Sequence, residues 1–315
     1  MLAVAEATRD DAVLRAGQTA SGISKVFQGQ FAASLEHFEQ ALALHDSARD
    51  LGEGLEIGID GRVAALGWSG WDLWHLGYPD RALARGRQGV AFARTVAHSF
   101  SVAQALFVET ALHWFRGDIA AERAAAAEMI SLAEAQGFPV WLGAGHAHHG
   151  HSRVMAGEGT TAVTEMTDGM MLASRAGTLM GAPTMLVLLA EAYAAADDRS
   201  AAVGSVEAGL RLAAKTGQHF CDAELQRRRG DLILATDPGR AIEAEALFHS
   251  ALDVARGQEA KSFELRAATS LARLWRDQGK CAEARTLLAL VYEWFTEGFD
   301  TRDLQDAKAL LNELA

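Results

Sequence analysis

Cysteine is nearly missing from this chain: Cys221 and Cys281 are the only two in 315 residues. Two thiols so far apart exclude a disulfide framework and a cysteine-based zinc site, and they fit a reducing, cytoplasmic setting. Basic residues are outnumbered, 29 Lys and Arg against 41 Asp and Glu, for a formal charge of -12. Such a surface repels nucleic-acid phosphates and anionic lipid headgroups, so neither nucleic acid nor membrane is an expected partner. Long apolar runs are absent as well, and none approaches the roughly 20 residues of a membrane span. The N-terminal stretch is broken by Glu6, Arg9, Asp10 and Asp11 before a signal-peptide core could form. Alternating β-branched patterns are missing, which argues against strands. The prolines number four, and Pro139, Pro183 and Pro238 sit near turns, where the missing N–H costs little.

Recognisable catalytic motifs are lacking too. There is no G-x-x-x-x-G-K-[ST] phosphate loop, and the one Gly-Lys pair, Gly279-Lys280, runs into Cys281. No G-x-S-x-G elbow, dinucleotide fingerprint or H-E-x-x-H occurs. Catalysis has no visible seat, no cofactor is implied, and the expectation leans away from an enzyme.

What is present is a repeat. Gly137, Gly177, Gly217 and Gly257 lie 40 apart, each ending an Ala-rich helical segment. A second series marks tighter turns at Gly29, Gly77, Gly117, Gly157, Asp197, Gly239 and Gly279. Two interleaved series of helix ends mean two helices per unit. Small residues recur seven before each turn at Gly22, Gly70, Thr110, Gly150, Ala190, Gly230 and Ala272. Twelve residues after each turn a second, mostly small set follows: Ala41, Gly89, Met129, Gly169, Gly209, Ala251 and Val291. That pattern is how tetratricopeptide hairpins pack. It predicts an all-α, tetratricopeptide-like right-handed α-solenoid of about seven hairpins in a single domain, 1–315. The units are expected at roughly 8–52, 60–98, 101–137, 142–177, 182–217, 222–257 and 263–298. A capping helix follows at 301–314, with Asp300 or Thr301 as N-cap and an apolar stripe of Leu304, Ala307, Leu310, Leu311 and Leu314.

Three stretches carry a sharper resemblance, namely "WHLGYPDRALARGRQGVAFARTVAHSFSVAQAL" (74–106), "LLAEAYAAADDRSAAVGSVEAGLRLAAKTGQHFCDAELQRRRGDLIL" (188–234) and the segment 244–311 that opens "AEALFHSALDVARG". They resemble the C-terminal repeat region of bacterial proteins that join a class III adenylate/guanylate cyclase and an AAA-type ATPase to a helical array. The resemblance implies the array alone, a regulatory or interaction region, with a cyclase/ATPase signalling module as a possible partner.

The densest chemical cluster is "GHAHHGHSRV" at 145–154, on the expected first helix of the fourth unit. Tetratricopeptide packing places His146 and His149 on the hairpin seam and His151 toward the groove, while His148 faces elsewhere. No pair has the spacing of four that presents two zinc ligands together, and the nearest acid in sequence is Glu158, past the turn. A metal site using His146, His149 and His151, or an enzyme built on them, is the weaker alternative to imidazoles satisfied by hydrogen bonds. Trp68, Trp71 and Trp74 form a stripe in "WSGWDLWHLGYP". Counted from the turns, the groove positions are Trp71, Trp74, His75, Phe107, Trp114 and His151 at one end, and Glu191, Arg227, Asp231, Arg273 and Arg276 at the other. Of "QRRRGD" (226–231), the three arginines cannot all face one way. The expected function is a non-catalytic binding module that takes a protein segment or small-molecule effector in its concave groove. An oligomerisation scaffold is a further alternative.

Overall fold

The computed structural model describes residues 10–45, 58–159 and 161–315. Fifteen α-helices are present among them, and no strand. They are α1 (Asp11–Phe27), α2 (Phe31–Ala43), α3 (Gly61–His75), α4 (Pro79–Val96), α5 (Ser99–Arg116), α6 (Ile119–Gln136), α7 (Pro139–Met155) and α8 (Thr161–Arg175). After these come α9 (Ala182–Ala195), α10 (Arg199–Thr216), α11 (Asp222–Thr236), α12 (Ala241–Gly257), α13 (Lys261–Asp277), α14 (Cys281–Tyr292) and α15 (Arg302–Glu313). Consecutive odd and even helices pack as seven antiparallel hairpins, and α15 covers α13 and α14. The fold is a tetratricopeptide-like helical repeat. The outer bounds expected for the first unit, 8 and 52, lie outside the described residues.

The turn glycines act as their spacing requires. Gly29, Gly77, Gly117, Gly157 and Gly279 all hold positive φ, and Asp197 takes the same left-handed state at φ 60. Two positions differ. The sixth unit turns through a 3-10 segment, Pro238–Arg240, with the Asp237 carboxylate accepting from the Gly239 amide at 2.9 Å. Gly257 stays helical, and Glu259 supplies the left-handed residue at φ 55. The small residues inside the hairpins are sterically required. A methyl group at Gly22, Gly150 or Gly230 would lie 2.6 Å from Phe38, the Ala162 carbonyl oxygen or Phe248. The capping helix follows Thr301 and buries Leu304, Ala307, Leu310 and Leu314, with Leu311 partly covered.

The array closes on itself. The seventh unit lies against the second. Ser262 Oγ of α13 donates to the Trp74 carbonyl at 2.5 Å, and Arg266 donates to the Phe115 carbonyl at 2.8 Å. The loop before α15 clasps the start of α4: Glu297 accepts from the Asp80 and Arg81 amides, both at 3.0 Å, and the Gly298 amide donates to Asp80 at 2.9 Å. Arg116, 5% exposed, joins Asp80, Asp118 and Asp300. Phe27 of the first unit meets Phe220 of the sixth edge-on, with ring centroids 5.4 Å apart.

Inside this turn, Asp72 of α3 is wholly buried beside the Ser34 hydroxyl, with no ion-pair partner among the described residues. Burial pushes its carboxyl well above the usual range. Because the unfolded chain ionises first as pH rises, Asp72 withdraws stability at neutral pH. Asp72→Asn, whose amide cannot ionise in the unfolded chain, is therefore expected to stabilise the protein at pH 7 by about 1.4 kcal/mol for each unit by which the carboxyl is raised. Urea unfolding checks it; a destabilised variant would show that the carboxyl is needed.

Candidate binding cavity

The first helix of each hairpin faces the axis of the turn, and the positions brought there recur once per unit. One end of that interior is filled. Trp71, Trp74 and His75 are 2% exposed or less, and Phe107 is 8% exposed. Trp74 stacks on Phe115 with centroids 4.2 Å apart and meets Phe263 edge-on, and His75 stacks on Phe31 at 4.1 Å. The expected aromatic groove floor is thus core, a correction whose cause is closure: units six and seven cover what an open solenoid would expose. Arg276 also falls outside the site, paired with Asp277 and Glu313 at the outer end of α13.

The other end stays open as a cavity of about 340 Å³, near the lower bound of roughly 300 Å³ for ligand pockets. Trp114 (α5), His151 (α7), Glu191 (α9), Arg227 and Asp231 (α11) and Arg273 (α13) all line it, six of the eleven groove positions read from the turns. Arg228, Arg266, Arg302, Asp303 and Asp306 join them, as do Met155, Ile119, Ala194 and Ala195. Within the arginine run, Arg227 and Arg228 face the cavity, whereas Arg229 turns outward to Glu207 at 2.9 Å. The α15 residues lie on the face opposite the apolar stripe that the sequence shows for that helix. Their spacing, 302, 303 and 306, on the complementary face was the available signal.

Polar contacts hold the walls. The Trp114 indole N–H donates to Glu191 Oε2 at 2.9 Å, and Arg228 pairs with the other oxygen of Glu191. Arg227 bridges Glu224, at 2.5 Å, and Asp231, at 2.6 Å. Arg266 binds Asp303 at 2.8 Å, and its guanidinium lies 4.9 Å from the centroid of the Trp74 ring.

The histidine helix α7 sits against three carboxylates that sequence separation concealed. Nδ1 of His148 donates to Glu122 of α6 at 2.8 Å, and Nδ1 of His151 approaches the same carboxylate at 3.1 Å. Nε2 of His151 reaches Glu191 at 3.2 Å. Burial alone would raise the wholly buried Glu122, but the His151 and His148 imidazoles outweigh it and hold the carboxyl below its usual range. On the opposite seam, His146 and His149 share Glu165 Oε1 at 3.2 and 2.7 Å, and Arg153 takes Oε2 at 2.8 Å. His146 and His149 therefore face α8 while His151 faces the interior, and the three do not converge. No cluster of three His, Cys, Asp or Glu side chains with metal-site geometry exists among the described residues. Cys221 is buried and Cys281 exposed, both free. No helix among the described residues is long and apolar enough to cross a membrane.

No family model matches the chain, and no curated protein matches it. Among solved structures it is similar to a Rap protein complexed with competence and sporulation factor, at 13% identity and a TM-score of 0.63, covering 96% of this chain and 76% of that one. Aspartyl phosphate phosphatase F from Bacillus subtilis is similar at 11% identity and a TM-score of 0.56, covering 96% and 75%. The apo form of RapI follows at 10% identity and a TM-score of 0.53, covering 95% and 99%. At these identities the likeness is one of fold.

Proposed function

We propose that this chain is a non-catalytic binding module that receives a peptide, protein segment or small effector in the cavity between α5, α7, α9, α11, α13 and α15. The carrying observation is the cavity itself, which juxtaposes the Trp114 indole, Met155 and Ile119 with guanidiniums and carboxylates that already fix one another's positions. Rigid, pre-paired polar walls lower the ordering cost of binding. A fold of the same kind is described in complex with competence and sporulation factor, which supports a binding role for such an array. The resemblance of residues 74–106, 188–234 and 244–311 to arrays joined to class III cyclase and ATPase modules supports a signalling partner of that kind, to which ligand occupancy is passed. The histidines of α7 are engaged with Glu122, Glu165 and Glu191 in supporting the walls, which favours binding over chemistry.

The test is affinity selection of a random peptide pool, followed by melts with the enriched peptides. A ligand at about 100 times its Kd is expected to stabilise the protein by about 2.7 kcal/mol. Met155→Trp, which fills the cavity from a half-buried wall position, is expected to abolish both enrichment and stabilisation. Equal enrichment on the filled variant, or none on the wild type, would refute the reading.

A further inference from the structure

The guanidiniums of the cavity differ in how fully they are engaged. Arg227 lies between Glu224 and Asp231, and Arg228 between Glu191 and Glu224. Arg266 is held by Asp303 and the Phe115 carbonyl. Among the described residues, Arg273 pairs only with Asp306, at 3.4 Å. Arg302, at the start of α15, has no hydrogen bond or ion pair with any described residue. Its stem is nonetheless fixed, lying over the turn glycine Gly117, where a Cβ would come within 2.7 Å of Arg302 Cβ. Packing therefore delivers an unpartnered guanidinium to the cavity rim. Burial pulls the Arg228 guanidinium below its ordinary value, with Asp231 and Asp303 opposing and Arg266 and Arg302 adding to the shift.

The acids are in the opposite condition. Glu191 accepts from Trp114, Arg228 and His151, and Asp231, Asp303 and Asp306 each hold an arginine. A cationic ligand would have to break one of these pairs and strand a guanidinium. An anionic one meets a free planar fork of N–H donors, the geometry that carboxylates and phosphates match with two parallel hydrogen bonds. Beside it, Trp114, Met155 and Ile119 offer apolar surface.

We infer that the ligand carries one anionic head, a carboxylate or a phosphate, seated on Arg302, and an apolar arm laid against Trp114, Met155 and Ile119. This deepens, and rests on, the binding-module reading.

The experiment is calorimetric titration of the full chain with N-acetyl-leucyl-phenylalanine as the free acid, the same dipeptide as its C-terminal amide, and phenyl phosphate. The wild type is expected to bind the acid about tenfold or more tightly than the amide, as a charge-assisted hydrogen bond warrants. Arg302→Gln, at an exposed position without an ion pair, is expected to melt as the wild type does and to erase that preference while leaving the amide's affinity unchanged. Phenyl phosphate binding more tightly than the acid assigns a phosphate head, and weaker binding assigns a carboxylate; loss of either with Arg302→Gln supports the site. Equal affinities for acid and amide, or a preference that survives Arg302→Gln, overturn the anionic head but leave the cavity reading standing. Absence of binding by every anionic probe at about 10 mM, weaker than the millimolar range of simple contacts, also overturns it. The binding-module reading itself then stands or falls on the peptide-pool selection.

Discussion

Trp74→Ala is expected to cost about 3 to 5 kcal/mol of stability, the range for deleting a large buried aromatic side chain. The ring is 2% exposed and serves two junctions at once. Within the array it stacks on Phe115 of the next unit, with planes 13° apart. Across the superhelical turn it meets Phe263 edge-on and lies beneath the Arg266 guanidinium. Truncation leaves a void that neither side can collapse into, because α3 is also tied through its Trp74 carbonyl to Ser262. Trp74→Phe keeps a ring against Phe115 and is expected to lose much less. Urea unfolding of both variants measures the difference. An alanine variant as stable as the wild type would mean that the seventh unit does not pack on the second, and that this tryptophan lines an open groove after all.

Acid sensitivity centred on His75 is the second large effect. The imidazole is fully buried among Phe31, Phe115 and Phe263, its Nδ1 donates to the Trp71 carbonyl at 2.8 Å, and its Nε2 has no hydrogen-bond partner among the described residues. Burial lowers it to about 3, with the Trp71 carbonyl opposing and Arg266 adding to the shift. Below the unfolded value of 6.5 the unfolded chain takes up a proton that the folded protein refuses. Stability then falls by about 1.4 kcal/mol per pH unit, or about 2 kcal/mol between roughly pH 6.5 and 5. Glu122, held below its usual range, acts in the same direction, since its contribution is present at neutral pH and lost as pH falls through its folded value. His75→Phe preserves stacking on Phe31 while removing the titrating group. Its unfolding free energy is expected to decline less than the wild type's over that window, by about 2 kcal/mol. Parallel pH profiles for the two proteins would contradict the assignment.

The fold was legible because its signals are local. A glycine past a helix end and a small residue seven before a turn describe a chain against its own next helix, and Gly22 against Phe38 or Gly230 against Phe248 bear this out within one hairpin. Of the positions counted from the turns, Trp114, His151, Glu191, Arg227, Asp231 and Arg273 come together around one cavity, since one unit's inner face repeats in the next. Trp71, Trp74, His75 and Phe107 have the same spacing but different surroundings, and they are buried in the core. Whether an inner position is lining or core depends on the small rotation added at each hairpin, which accumulates until Phe263 and Ser262 arrive over Trp74, nearly 190 residues away. The charges follow the same division. Arginines and histidines were visible as residue types on helix faces. That Glu122 would lie under His148, that Glu191 would engage Arg228, and that Arg302 would reach the cavity without a partner among the described residues were decided by tertiary structure alone, because hydrogen bonding and ion pairing between distant segments act over a few ångströms of space and carry no trace along the chain.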